Sequence, residues 1–191
     1  MDSIYMGSSR LHQESRPVSG SFIEQEGTLW YRILNYDSMA PFFMSITNPD
    51  DIWMFISSTG GITCGREHAD KALFPYATVD KITDAHSSTG SLTAFIVQRE
   101  EKRFLWLPLQ PGSPEVYETE RNLWKTAYGE CVRFEEINRT LGLTFTVSWE
   151  GSPQYGIHRA CTLENLQKTP VSVTYLDGMR NIMPAGATAH T

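Results

Sequence analysis

Apolar and polar positions alternate most cleanly in "LTFTVSW", where Leu143, Phe145, Val147 and Trp149 interleave with Thr144, Thr146 and Ser148. A period of two with one apolar face predicts a half-buried antiparallel strand. "CVRFEEIN" precedes it across "RTLG", and Gly142 supplies the positive φ that a tight connection needs. "SLTAFIVQR" and "RFLWLPL" form a second pair around the charged turn Glu100-Glu101-Lys102. "FIEQEG" and "TLWYRILNY" form a third, turning at Glu26-Gly27. The short runs "FFMSI" and "IWMFISS", separated by "TNPDD", continue the pattern, and "IHRACTLENL" and "PVSVTYLDG" extend it towards the C-terminus. Strands at roughly ten-residue spacing predict an all-β sandwich or barrel.

Helix signals are thin. "REHADKAL" has room for one or two turns. "VYETERNLWKTAYG" mixes helical charge with strand-forming aromatics, and its neighbours and Tyr117, Trp124 and Tyr128 favour a strand. No repeat of 20 to 50 residues is visible.

Composition narrows the class. The 191 residues are 40% hydrophobic and 20% charged, enough for a packed core in one domain. A net charge of -6 argues against a nucleic-acid partner, which calls for a basic face. No apolar run reaches the roughly 18 residues that span a bilayer, so no membrane partner is expected. The N-terminus lacks the apolar segment of a secretory signal. Cytoplasmic localisation follows, with Cys64, Cys131 and Cys161 as buried free thiols.

The densest chemistry lies in "SSTGGITCGREHADKALFPY", Ser57 to Tyr76. Gly60-Gly61 is not followed by the Gly-Lys-Ser/Thr of a phosphate loop, so a turn is the simpler reading. Glu67, His68 and Asp70, with Asp80, Asp84 and His86 further on, lack zinc-ligand spacing. Cys64 would need His68 as a base to act as a nucleophile, and nothing holds the two together. Glycoside cleavage requires two opposed carboxyl groups. Glu135 and Glu136 are adjacent in a strand and point to opposite faces, with neighbours typical of a surface strand. Trp30, Trp53, Trp106, Trp124 and Trp149 suit either sugar stacking or core packing, and Trp53, Trp106 and Trp149 lie in apolar strands. The residues indicate no catalytic group, metal or cofactor.

Several stretches together resemble one family: "WYRILNYDSMAPFFMSI", "DIWMFISSTGGITCGREHADKALFPYATVDKITD", "RNLWKTAYGECVRFEEINRTLGLTFTVSW" and "RACTLENLQKTPVSVTYLDGMRNIMPAG". They are similar to the N-terminal region of large carbohydrate-active proteins related to cellobiose phosphorylase. The ordered set covers most of the chain from about Trp30 onward. The resemblance implies an antiparallel β-supersandwich like that of galactose mutarotase. It implies a polar arm over residues 1–21, the sandwich over 22–178 and, from 179 to 191, the start of a linker to an (α/α)6 barrel that carries the catalytic acid. A homodimer and an oligosaccharide would be further partners. Where phosphorylases of this group follow the two glycines with aromatic and Ser residues and a basic-acidic pair, this chain has "ITCGREHAD", which puts phosphorolysis in doubt. "CGREHADKALFPY" is then expected as a loop at the sandwich rim, with Arg66, His68, Asp70, Phe74 and Tyr76 as accessory carbohydrate or interface contacts.

Two readings follow. The first is a non-catalytic N-terminal domain of a glycoside phosphorylase or hydrolase-like protein. The second is an autonomous carbohydrate-binding or aldose-mutarotase-type domain, in which His158 would work with Glu135 or Glu164.

Overall fold

The computed structural model describes residues 3–12, 16–48, 51–112, 115–184 and 187. Among them the alternating segments form fifteen strands and the chain makes only three short 3-10 turns, at Tyr36–Ser38, Ala69–Lys71 and Asp84–Ser87. "VYETERNLWKTAYG" is a strand, as its aromatics predict.

Numbered in chain order, β1 (Tyr5–Met6) and β2 (Ser9–Arg10) form a small hairpin. A six-stranded antiparallel sheet is built from β3 (Ser19–Gln25), β4 (Thr28–Leu34), β11 (Thr119–Thr126), β12 (Cys131–Asn138), β13 (Leu143–Ser152) and β14 (Gly156–Asn165). Its order is β14-β13-β12-β11-β4-β3. A four-stranded sheet runs β5 (Phe43–Ser45), β6 (Ile52–Ser57), β7 (Ile62–Arg66) and β8 (Ala72–Phe74). A three-stranded sheet has β9 (Gly90–Arg99) between β10 (Lys102–Trp106) and β15 (Ser172–Arg180). All pairings are antiparallel and no sheet closes into a barrel.

The inner face of the six-stranded sheet packs against both smaller sheets. Leu123, Val132, Phe134, Phe145, Val147 and Trp149 share one core with Met54, Ile56, Ile62 and Phe74 on one side and Phe95, Val97 and Trp106 on the other. Phe74 meets Trp149 edge-on at 6.3 Å, and Phe95 meets Phe145 at 5.3 Å. Such geometry adds to the burial of large aromatic surface. This is an all-β antiparallel sandwich with one broad layer facing two narrow ones.

Charged residues also hold the sheets together. Glu136 on β12 points into the interior and is 1% exposed. Its carboxylate accepts from Trp106 Nε1 at 2.7 Å, from the Leu109 backbone N–H at 2.7 Å and from Arg121 Nε at 2.8 Å. Asp37 lies 3.6 Å from the same guanidinium. At the opposite edge, Arg159 of β14 grips Asp177 of β15 with two bonds of 2.7 and 2.8 Å and donates to Ser91 of β9. The Arg159 guanidinium holds the Asp177 carboxyl below the usual carboxylate range.

Three expectations are corrected. Glu136 is not on a surface strand, because the alternation of β12 turns it inward with Val132 and Phe134. Residues 64–76 are not a free rim loop: Cys64, Gly65 and Arg66 belong to β7, and Ala72, Leu73 and Phe74 form β8. The apolar residues Leu73 and Phe74 are drawn into the sheet. Cys161 is exposed on an edge strand, whereas Cys64 and Cys131 are buried thiols.

Gly60-Gly61 is the turn between β6 and β7. Gly60 has φ +88°, and a Cβ on Gly61 would stand 2.2 Å from the Ile82 carbonyl oxygen. The glycine lets the 78–88 segment press against the hairpin. Beyond β15 the chain folds back, and Met183 N–H donates to the Leu73 carbonyl of β8 at 2.8 Å. Of the segments expected as arm and linker, residues 1, 2 and 13–15 and residues 185, 186 and 188–191 lie outside the described residues.

Replacing Glu136 by Ala leaves a buried guanidinium, an indole N–H and a backbone N–H without their acceptor. The expected loss is about 3–5 kcal/mol of unfolding free energy. Glu135→Ala, one position away on the opposite face, should cost about 1 kcal/mol. Urea unfolding of the two variants beside the parent protein measures the difference.

Candidate functional site

The register of β6 and β7 pairs Ile52 with Arg66. Both side chains emerge at the end of the sandwich, facing the β13–β14 hairpin. There the sheets part around a cleft of about 590 Å³. Ile52, Leu73, Ile157 and Met183 contribute apolar wall. Arg66, Asp70 and Lys71 supply charge, and Tyr155, 75% exposed, stands at the mouth. The tail hydrogen bond at Leu73 places Met183 in the wall.

Local geometry explains this arrangement. Ala69–Lys71 turns the chain from β7 to β8, so Asp70 and Lys71 stand beside Arg66. Glu67 carries φ +55° and pairs with Lys71 four residues on. That pair lowers the Glu67 carboxyl and raises the Lys71 ammonium, in both cases mainly through their mutual hydrogen bond. Across the cleft Gly156 has φ +79°, a left-handed conformation that favours glycine, and a Cβ there would be in ordinary contact with Arg66 Nη2 at 3.5 Å.

The six contacts named from the sequence separate. Arg66 and Asp70 line the cleft together. His68 is exposed at the turn between β7 and β8. Phe74 is 0% exposed and belongs to the core beneath Trp149, so it can touch no ligand. Tyr76, 58% exposed, lies instead near Trp53, with ring centroids 5.9 Å apart. His158 is on the outer face of the six-stranded sheet, and its Nδ1 is 2.7 Å from Glu150 Oε1. Glu150 is its cross-strand neighbour, whereas Thr146 faces Glu135 and Thr144 faces Glu164. Tyr155, Ile157 and Met183 were missed. Tyr155 carried one signal, a solitary aromatic in the Gly/Ser/Pro/Gln turn "EGSPQYG".

Cys64 is not a nucleophile. Burial pushes its thiol up to about 12, against an ordinary value of 9.0, and it lies between Met54 and Phe74 in the sheet. Burial likewise raises Cys131 to about 11. Among the described residues, no three His, Cys, Asp or Glu side chains converge as a metal site would need. Among the described residues no helix is long and apolar enough to cross a membrane.

No protein-family model matches this chain, and no curated protein matches it significantly.

The raised thiols make stability pH-dependent. Folded Cys64 holds its proton up to about 12, while the unfolded chain releases it near 9.0. The folded state then binds more protons, so stability is fully present below pH 9 and falls as pH rises towards 12. Urea midpoints at pH 8, 9.5 and 11 should decrease in that order, and the fall should be smaller in Cys64→Ala. Burial also pushes the exposed Cys161 thiol up to about 11, so with iodoacetamide at pH 8 it should alkylate slowly in the native state, and Cys64 only on unfolding.

Proposed function

We propose that this chain is a non-catalytic β-sandwich domain of a carbohydrate-active protein, and that its rim cleft takes a short saccharide. The carrying observation is the cleft's composition: apolar walls and an exposed tyrosine beside Arg66, Asp70 and Lys71, in a volume typical of small-ligand sites. A sugar ring presents C–H faces to apolar or aromatic surface and hydroxyls to charged hydrogen-bonding groups. Tyr155 suits the first, and Arg66 with Asp70 suits the second.

Hydrolysis or phosphorolysis within the cleft is disfavoured by its carboxylates. Among the described residues Asp70 is the one acid in its lining, and cleavage of a glycosidic bond uses two. Glu136, the deeply buried carboxylate, is occupied by three donors. The family resemblance supplies the wider frame. On it the sandwich is a mutarotase-like supersandwich supporting an (α/α)6 barrel in a cytoplasmic glycoside phosphorylase or hydrolase-like protein, with a homodimer as a possible assembly. The autonomous mutarotase reading draws less support, since His158 and Glu150 are about half exposed on an open sheet face and do not line the cleft.

The test is an NMR titration with a panel of disaccharides, cellobiose included. Shifts should centre on Arg66, Asp70 and Tyr155, and Tyr155→Ala or Asp70→Asn should weaken binding at least about tenfold, a loss of roughly 1.4 kcal/mol. A panel that leaves the cleft unperturbed would refute the saccharide. Disaccharide turnover abolished by Asp70→Asn would refute the non-catalytic assignment.

A further inference from the structure

The outer face of the six-stranded sheet carries a second cluster, remote in register from the cleft. Arg32 on β4, Trp124 on β11 and Arg133 on β12 are cross-strand neighbours in one row. Trp30 joins them from the next row, edge-on to Trp124 with centroids 6.5 Å apart. The Arg133 guanidinium carbon is 4.3 Å from the Trp30 centroid and 5.9 Å from that of Trp124. The Arg32 guanidinium carbon is 5.0 Å from Trp124. One indole is therefore shared by two cations.

Neither cation has a counter-charge. Among the described residues Arg32 and Arg133 form no ion pair, although the chain has six more acidic than basic residues. Arg133 donates to the neutral amide oxygen of Gln25 at 3.1 Å. Two acids of this face are engaged elsewhere: Glu135 accepts from Asn122 at 2.8 Å and Glu150 pairs with His158. Arg32 Nε and Trp124 Nε1 are buried without an acceptor. Buried donors without acceptors cost stability. Beyond Arg133 the row continues through Ser148 and Ala160, whose short side chains leave room beside the guanidinium.

We propose that this cluster is a binding site for a small organic anion, one bearing a carboxylate or a phosphate monoester. The two guanidinium groups clamp the anionic group with paired N–H donors, geometry that arginine supplies and lysine does not. Trp30 and Trp124, 6% and 8% exposed, lie beneath the guanidinium groups and hold them in place by cation–π contact. The anion supplies the counter-charge that Arg32 and Arg133 lack among the described residues. This inference is independent of the saccharide assigned to the cleft.

The test follows the side-chain Nε–H signals of arginine and tryptophan by NMR while the intact chain is titrated with glucose 6-phosphate, glucuronate and glucose. The expected result is a saturable shift of the Arg32, Arg133, Trp30 and Trp124 signals with at least one anion and not with glucose. Response to the phosphate ester alone identifies a phosphate ligand, and response to glucuronate alone a carboxylate ligand. Arg32→Gln and Arg133→Gln should each weaken binding at least about tenfold. Should Arg133→Gln fail to fold, Arg133→Lys keeps the charge and removes the fork, and should weaken binding by a similar factor. The bound anion should also raise the melting temperature of the parent protein and not of Arg32→Gln. If neither anion moves these signals, or if the variants respond like the parent, the proposal is overturned.

Discussion

A carboxylate buried inside the sandwich must find donors from several elements or go without its charge, and Glu136 meets that constraint with three. Transfer of an unpaired ion into the interior costs several kcal/mol, so the fold holds only when Trp106, Leu109 and Arg121 converge on it. Those donors come from β10, the crossing after it and β11. One side chain thereby ties the broad sheet to the edge of the narrow one and holds the intervening segment in place. Leu109 adopts φ +59°, a conformation that leucine rarely takes, and its N–H is one of the three donors. The backbone distortion and the carboxylate's need for hydrogen bonds are met by the same contact.

The two seams of the sandwich differ in kind. Between the six-stranded and three-stranded sheets, polar locks flank the apolar contact of Phe95, Val97 and Trp106: Glu136 at one edge and Arg159–Asp177 at the other. Arg180 adds to this side by donating to the carbonyls of Ser87, Thr89 and Ser91. Against the four-stranded sheet the contact is apolar, through Phe74, Met54 and Ile56 on Trp149 and its neighbours. The cleft opens at the end of this apolar seam. Its wall is completed by the returning tail at Met183, so a segment distant in sequence shapes the pocket.

Charge is also distributed unevenly. Although the chain is acidic overall, two arginines stand over two tryptophans on the outer sheet face, while Glu135 and Glu150 of that face are bonded to Asn122 and His158. Cation–π contact accounts for part of this arrangement, since an indole face attracts a guanidinium. It does not provide an acceptor for Arg32 Nε or Trp124 Nε1.

The sequence by itself determined the strands and most of the hairpins. Alternation in "LTFTVSW", the turns at Glu26-Gly27, Glu100-Glu101 and Gly142, and the aromatics of "NLWKTAY" are local signals, and a strand's two faces follow from its period alone. It also marked Arg66 and Asp70 as neighbours in a charged turn. Tertiary structure decided what each face met. Glu135 and Glu136 look alike in sequence, and only the packing of two further sheets made one half-exposed and the other a buried anchor. Phe74 read as a rim contact until β8 paired with β7 and carried it under Trp149. Tyr155, Ile157 and Met183 could not be grouped with Arg66, because nothing local relates a hairpin tip, a strand end and a returning tail. Local periodicity encodes which way a side chain points. The partner it finds depends on contacts between residues as far apart in sequence as Leu73 and Met183, which no window of sequence contains.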